Sequence, residues 1–133
     1  MKQVICLVMF SFISIKAKTQ NDTIPSPKPK TIIGIASFYS TNLDGTKTST
    51  GETFRHSKMT AASNQFKLNT WVRVTNLRNN KVVKVRINDR MHERMAHKGR
   101  VVDLSRTAAK ELGFISRGLT RLKVEEIVNA HIE

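Results

Sequence analysis

Apolar and polar positions alternate twice in the middle of the chain. Thr70–Asn76 (TWVRVTN) sets Val72 and Val74 on one face and Trp71, Arg73 and Thr75 on the other, and Val82–Asn88 (VVKVRIN) sets Val83, Val85 and Ile87 together. Strict alternation marks a strand with one buried face, and the polar turn Arg78–Lys81 between the two runs predicts a hairpin. Ile32–Ser40 (IIGIASFYS) is apolar over most of its length. It predicts a buried strand, with a bulge or a close backbone approach at Gly34. Leu119–Ile127 (LTRLKVEEI) predicts a last strand with Leu122 and Val124 inward. One helix is expected: Ser105 is a fitting N-cap for Arg106–Leu112 (RTAAKEL), and Gly113 a fitting stop. Thr41–Gly51 is loop, with Asp44-Gly45 a turn signal. The predicted fold is therefore mainly β with one short helix. Strands so short and numerous suggest a small closed barrel.

The two ends of the chain follow other rules. Met1-Lys2 is a basic start, Val4–Ile15 (VICLVMFSFISI) is apolar, and Lys16–Gln20 is polar. That order is the order of a secretory signal peptide, expected over residues 1–20 and cleaved near Ala17–Gln20. The apolar run falls short of the roughly 20 residues that span a bilayer. Cys6 is the single cysteine and lies inside this run, too early to carry a lipid anchor. Cleavage would leave a cysteine-free chain whose fold rests on its core. All three prolines fall within residues 21–31, which are expected to be an extended linker. The folded domain is expected over 32–127, with a tail over 128–133.

Charge narrows the partners. The formal net charge is +13, and removal of Met1–Gln20 takes away three lysines and no acids, leaving +10. Such a chain favours polyanions. The basic residues are spread rather than clustered, and one Tyr and one Trp are few for stacking on bases. Together with export, this argues against nucleic acid and for polyanions of the cell envelope. A monomer is expected, and no cofactor.

Residues 85–105 (VRINDRMHERMAHKGRVVDLS) hold the candidate chemistry: a strand ending on Asn88-Asp89-Arg90, a loop with two histidines, and Val101–Ser105 as a second strand opening a helix. By alternation Asp89 continues the inward face of Val83, Val85 and Ile87, which would bring a carboxyl to the barrel rim. Asn88 and Arg90 flank it. A carboxyl at a strand end also caps loops. His92 and His97 suggest a zinc motif, but zincin histidines lie four apart on one helical face. These are five apart, about 140° round a helix, so no metal is expected. Tyr39 and Trp71 lie in strands, where packing is the first expectation for an aromatic residue and sugar stacking the second.

Several blocks resemble the RlpA (rare lipoprotein A) family. Gly34–Tyr39 is similar to its G-x-A-S-x-Y opening, Thr50–Phe54 to its G-E segment, and Thr60-Ala61-Ala62 to its T-A-A step. Val72–Leu77 matches V-R-V-T-N-L, Val85–Arg90 matches V-x-I-N-D-R, and Gly99–Ser105 with Ala108-Ala109 and Leu112-Gly113 matches G-R-x-I-D-L-S-x-x-A-A-x-x-L-G. The resemblance covers residues 34–127. It implies a six-stranded double-psi β-barrel that works on peptidoglycan glycan strands of the bacterial envelope. Such enzymes are lytic transglycosylases, which cut between N-acetylmuramic acid and N-acetylglucosamine and leave a 1,6-anhydro end. Six residues follow Ile127 here, so the C-terminal SPOR domain of many family members is not expected.

A lytic transglycosylase needs a carboxyl that donates and later accepts a proton, because the sugar's own 6-hydroxyl closes on the anomeric carbon. The resemblance assigns that role to Asp89, with Glu52 as an assisting carboxylate. Two positions depart from the family: Arg55 stands where an aspartate is common, and Ser63 where a histidine is common. Arg55 would lower the pKa of a nearby carboxyl or bind the acid of a muramic sugar, and Ser63 cannot shuttle protons near neutral pH. The alternative is therefore a non-catalytic peptidoglycan-binding module of the same fold.

Overall fold

The computed structural model describes residues 11, 13–18 and 28–128. Most of the expected signal peptide and linker, and the tail beyond residue 128, lie outside the described residues. Six strands form a closed barrel: β1 (Thr31–Phe38), β2 (Thr60–Ala62), β3 (Trp71–Asn76), β4 (Val82–Asp89), β5 (Arg100–Leu104) and β6 (Thr120–Glu126). Round the barrel the order is β1-β5-β2-β4-β3-β6, with β6 closing on β1. The β1/β5 and β2/β4 pairs are parallel and the others antiparallel. These interlocked parallel pairs are the double-psi arrangement, and closure leaves no free sheet edge.

The strands expected from alternation are present. Val72, Val74, Val83, Val85, Ile87, Leu122 and Val124 are all fully or almost fully buried in one core. Their burial is the main stabilising term, at about 1.5–3 kcal/mol for each large apolar side chain. Helix α2 (Arg106–Leu112) starts on Ser105, whose Oγ accepts from the Ala108 amide, and stops at Gly113, whose φ of 78° is left-handed. It turns Ala108, Ala109 and Leu112 into that core. Buried Asn76 fastens it by donating to the Leu112 carbonyl at 2.8 Å. The close approach expected at Gly34 is present too: a Cβ there would lie 2.4 Å from Val101 Cγ1.

Three elements were not foreseen, one of them a single 3-10 turn over Thr41–Leu43. The three-residue β2 is too short for an alternation signal, and all three of its residues are buried. A second short helix, α1 (Glu93–His97), replaces the expected loop. His92 starts it, with Nδ1 accepting from the Arg94 amide at 3.2 Å.

A register shift corrects the expected direction of Asp89. Along β2 and β4, Thr60 pairs with Arg86 and Ala61 with Ile87, but Ala62 pairs with Asp89. Asn88 is thus the extra residue of a bulge, the device that re-aims a side chain at a barrel rim. Ala61 and Ile87 belong to the main core. Ala62 belongs instead to a smaller apolar cluster with Tyr39, Phe54 and Met91. Asp89 therefore leaves the inward face and joins the side of β2 that carries this second cluster.

Candidate active site

The second cluster is the floor of the site. Tyr39 follows β1, and its ring stacks on Phe54 at 4.1 Å between centroids. His56 meets the edge of Phe54 at 4.8 Å. The Tyr39 hydroxyl donates to Asp89 Oδ2 at 2.6 Å. Tyr39 is thus both a packed core ring and a partner of the candidate carboxyl, rather than an open platform for a sugar.

The other oxygen of Asp89 is more heavily engaged. Oδ1 accepts from the Ser49 amide at 2.9 Å, the Ser49 hydroxyl at 2.8 Å and the Arg90 amide at 2.9 Å. Four donated hydrogen bonds thus converge on this one carboxyl and fix its orientation. Ser49 sits in a tight turn, closed by a 2.9 Å bond from the Gly51 amide to the Thr48 carbonyl. Gly51 has φ +85° and so permits the turn. The same turn is pinned to β4 by the Thr50 amide, which donates to the Asn88 carbonyl at 3.3 Å.

Glu52 lies on the other side of this turn. Arg86 grips it with both guanidinium ends, each at 2.6 Å, and the Thr50 hydroxyl donates at 2.8 Å. The Arg86 bonds, foremost, and the Thr50 bond hold the Glu52 carboxyl down at about 2. At neutral pH Glu52 is a fixed negative charge and not a proton donor. It lines a cleft of about 330 Å³ with Arg55, Lys58, Trp71, Arg86 and Asn88. Trp71, paired with Arg86 across the ladder, is only half-buried and presents part of its ring there. Asp89 and Glu52 share no hydrogen-bonding group: Ser49 serves one and Thr50 the other.

The two departures have local explanations. Arg55 lines the Glu52 cleft, and its guanidinium pairs with the surface Asp44 at 3.2 Å. Asp44 is held low chiefly by the His56 amide, with Arg55 adding to it. Ser63 is wholly buried; its hydroxyl donates to the Val101 carbonyl at 2.8 Å and accepts from the Gln65 amide at 3.1 Å. It holds backbone together and faces no open site.

Asp103 was missed. It lies on β5 between Val102 and Leu104, a charge inside an apolar strand, and that was the available signal. Ser37 donates to its Oδ1 at 3.0 Å. Burial raises its pKa first of all, the negative charge of Asp89 raises it further, and Ser37 and Arg100 pull the other way.

Fold and site together define a double-psi β-barrel protein with a cluster of acidic side chains at one rim. The chain belongs to the family described as lytic transglycolase, whose model matches residues 31–124. Among curated proteins it is 48% identical over 94 residues to the endolytic peptidoglycan transglycosylase RlpA of Pasteurella multocida, covering 71% of this chain and 31% of that one. It is 47% identical over 96 residues to the RlpA of Pseudomonas aeruginosa strain UCBPP-PA14, covering 72% of this chain and 27% of that one. The chain therefore spans about a third of the length of such relatives, and the match is of the RlpA kind that the sequence blocks indicated. The Streptomyces papain inhibitor shares the fold, with a TM-score of 0.60 and 19% identity over 77% of this chain and 98% of that one. So does an expansin of Clavibacter michiganensis, with a TM-score of 0.58 and 21% identity over 75% of this chain and 52% of that one.

Proposed function

We propose that this domain cleaves peptidoglycan glycan strands as an endolytic lytic transglycosylase, with Asp89 in acid/base catalysis and Glu52 as an assisting carboxylate. The observation that carries this reading is the presentation of Asp89. A bulge turns it out of the core, and Tyr39 and the Ser49 turn fix its orientation. Fixed carboxyl geometry is what proton transfer to or from a sugar oxygen requires. Glu52, ionised at working pH, supplies negative charge against the cation that develops at the anomeric carbon. The half-buried Trp71 gives the adjoining cleft an apolar surface for a sugar ring, while Lys58 and Arg86 suit anionic groups. The wider reading is a monomeric domain over 32–127, exported to the envelope after cleavage near residues 17–20 and carrying no lipid anchor. Among the described residues, no helix is long and apolar enough to cross a membrane.

The test uses the chain without residues 1–20. Incubated with purified sacculi, with and without stem peptides, it should release anhydromuropeptides detectable by mass spectrometry. Retention on sacculi with no such product would instead establish the binding module.

A further inference from the structure

Exposed aliphatic side chains gather on the outside of the barrel, away from the Asp89 rim. Along the rung that crosses β4, β3, β6 and β1, Val82 pairs with Thr75, Thr75 with Lys123 and Lys123 with Ile33. On the next rung Ile35 pairs with Arg121, whose carbonyl accepts from the Leu77 amide at 3.2 Å. Strand side chains alternate between faces. Leu122 and Val124 point into the core, so Arg121 and Lys123 point out, with Ile33 and Ile35 beside them. Ile33 is 53% exposed and Val82 49%, so no described element covers this face. Arg117 and Leu119 extend it through a shallow groove of about 460 Å³ that they share with Ile35 and Arg121. Eight large apolar side chains are exposed within residues 28–128, and five of them lie here: Ile33, Ile35, Leu77, Val82 and Leu119. Such residues scattered singly are ordinary, whereas a contiguous group marks an interaction surface.

The charges round this group are nearly all of one sign. Lys123 pairs with Glu125 at 3.1 Å, but Arg117 and Arg121 make no ion pair among the described residues. Arg78 and Lys81 stand exposed in the turn between β3 and β4, next to Leu77 and Val82. Cations set among bare aliphatics fit a partner that is anionic at its surface and apolar just beneath. A polyanionic glycan would answer the cations and leave the aliphatics in water, with no gain from burial. A second copy of the chain would set like charges against each other. An anionic phospholipid surface answers both kinds of side chain.

We propose that this face adsorbs to an anionic phospholipid surface. Arg117, Arg121 and Lys123 meet headgroup phosphates, while Ile33, Ile35 and Leu119 enter the boundary with the acyl chains. A cation near such a surface favours the bound state by about fivefold, and salt screens that share. Val82 and Asp89 close the two ends of β4, about 23 Å apart at roughly 3.3 Å per residue. The adsorbed barrel therefore holds the Asp89 rim off the lipid. Adsorption stands apart from the transglycosylase reading; only the use of that orientation, a site held out towards the glycan, rests on it.

The chain without residues 1–20 serves for the test, because the barrel is complete between Thr31 and Glu126 and the apolar run Val4–Ile15 would itself bind lipid. Vesicles of phosphatidylglycerol should carry it upward in a flotation gradient, and vesicles of phosphatidylcholine should not. Salt raised from about 0.05 to about 0.5 M should release most of it. Arg117→Gln with Arg121→Gln should weaken binding about 25-fold, roughly fivefold for each cation. Ile33→Thr with Ile35→Thr keeps β-branched residues in the strand and should weaken it about tenfold. Lys28→Gln with Lys67→Gln removes the same charge from the cleft beside Ile127, at the other end of β6, and should cost less than about threefold. An equal loss in that last pair would make adsorption a matter of net charge and overturn the patch. Equal binding to both kinds of vesicle, or to neither, would overturn it too. If the two isoleucine substitutions instead release the chain from sacculi, the face holds wall polymer; if they split a dimer seen by sedimentation, it holds a second copy. Either result overturns the lipid assignment. Flotation does not read cleavage, and Arg117→Gln with Arg121→Gln should cut isolated sacculi as fast as the unchanged chain, so failure of adsorption and failure of the transglycosylase reading are told apart.

Discussion

The Ser49–Glu52 side and the β5 side of the site treat a carboxyl in opposite ways. Glu52 sits on an exposed loop, 41% of its side chain open to solvent, and is gripped by a bidentate arginine. Asp103 sits on a strand among buried neighbours, with a serine as its side-chain donor and another acid nearby. A charged partner favours the ionised form and burial the neutral one. The same functional group is thus held ionised by a charged partner at one place and pushed towards the neutral form by burial at the other. Position in the barrel, more than residue type, decides what each acid can do.

The contrast can be broken in graded steps. Asp89→Asn should have the largest effect, lowering product release by about 10²–10⁴-fold while a thermal melt shows little change. A melting point lowered as far as the activity would make Asp89 a loop anchor. Glu52→Gln should cost less, on the order of tenfold in rate, and about 1 kcal/mol or less in stability, because the pair with Arg86 is solvent-screened. Its pH signature is specific. The folded Glu52 titrates near 2, below its ordinary value, so the stability it adds is complete above about 4.5 and is lost as pH falls towards 2. Urea unfolding across that range should show a slope in the unchanged chain that is shallower in Glu52→Gln. Tyr39→Phe keeps the stack on Phe54 and removes one donor from Asp89, so a several-fold loss of rate is expected with a near-normal melting point. Arg55→Ala should do least. Its partner is the exposed Asp44, so the rate should stay within about twofold and the melting point should barely move. A large change of rate in Arg55→Ala would show that its guanidinium works in the cleft rather than on Asp44.

What was legible in the sequence was local. The hairpin of β3 and β4 showed in the alternation of its valines, and α2 showed in Ser105 and Gly113 at its two ends, because each of those signals acts over a few neighbouring residues. The direction of Asp89 was not legible. Its parity pointed inward until the Asn88 bulge shifted it by one, and that bulge exists only because β2 lies alongside β4. Asp103 was hidden for the same reason. Its hydrogen-bond partner Ser37 and the neighbouring charge of Asp89 are 66 and 14 positions away in the chain and are brought near only through strand pairing. Glu52 was named without its partner, since nothing local links it to Arg86, 34 positions on.

β2 carries a consequence for how such a barrel can change. It is three residues long, it is buried throughout, and it is the spacer between the two acids. A larger side chain at Ala62 would intrude between the two acids, Asp89 and Asp103, or into the apolar floor beside them. The spacing of the two acids is therefore set by the backbone pairing rather than by side chains. Away from the Ser49–Phe54 stretch that builds the site, residues 41–47 and 92–99 are loops and short helices, the kind of segment that accepts substitution and insertion. Divergence among barrels built this way should accumulate in what they grip, while the spacing of the acids stays as the backbone sets it.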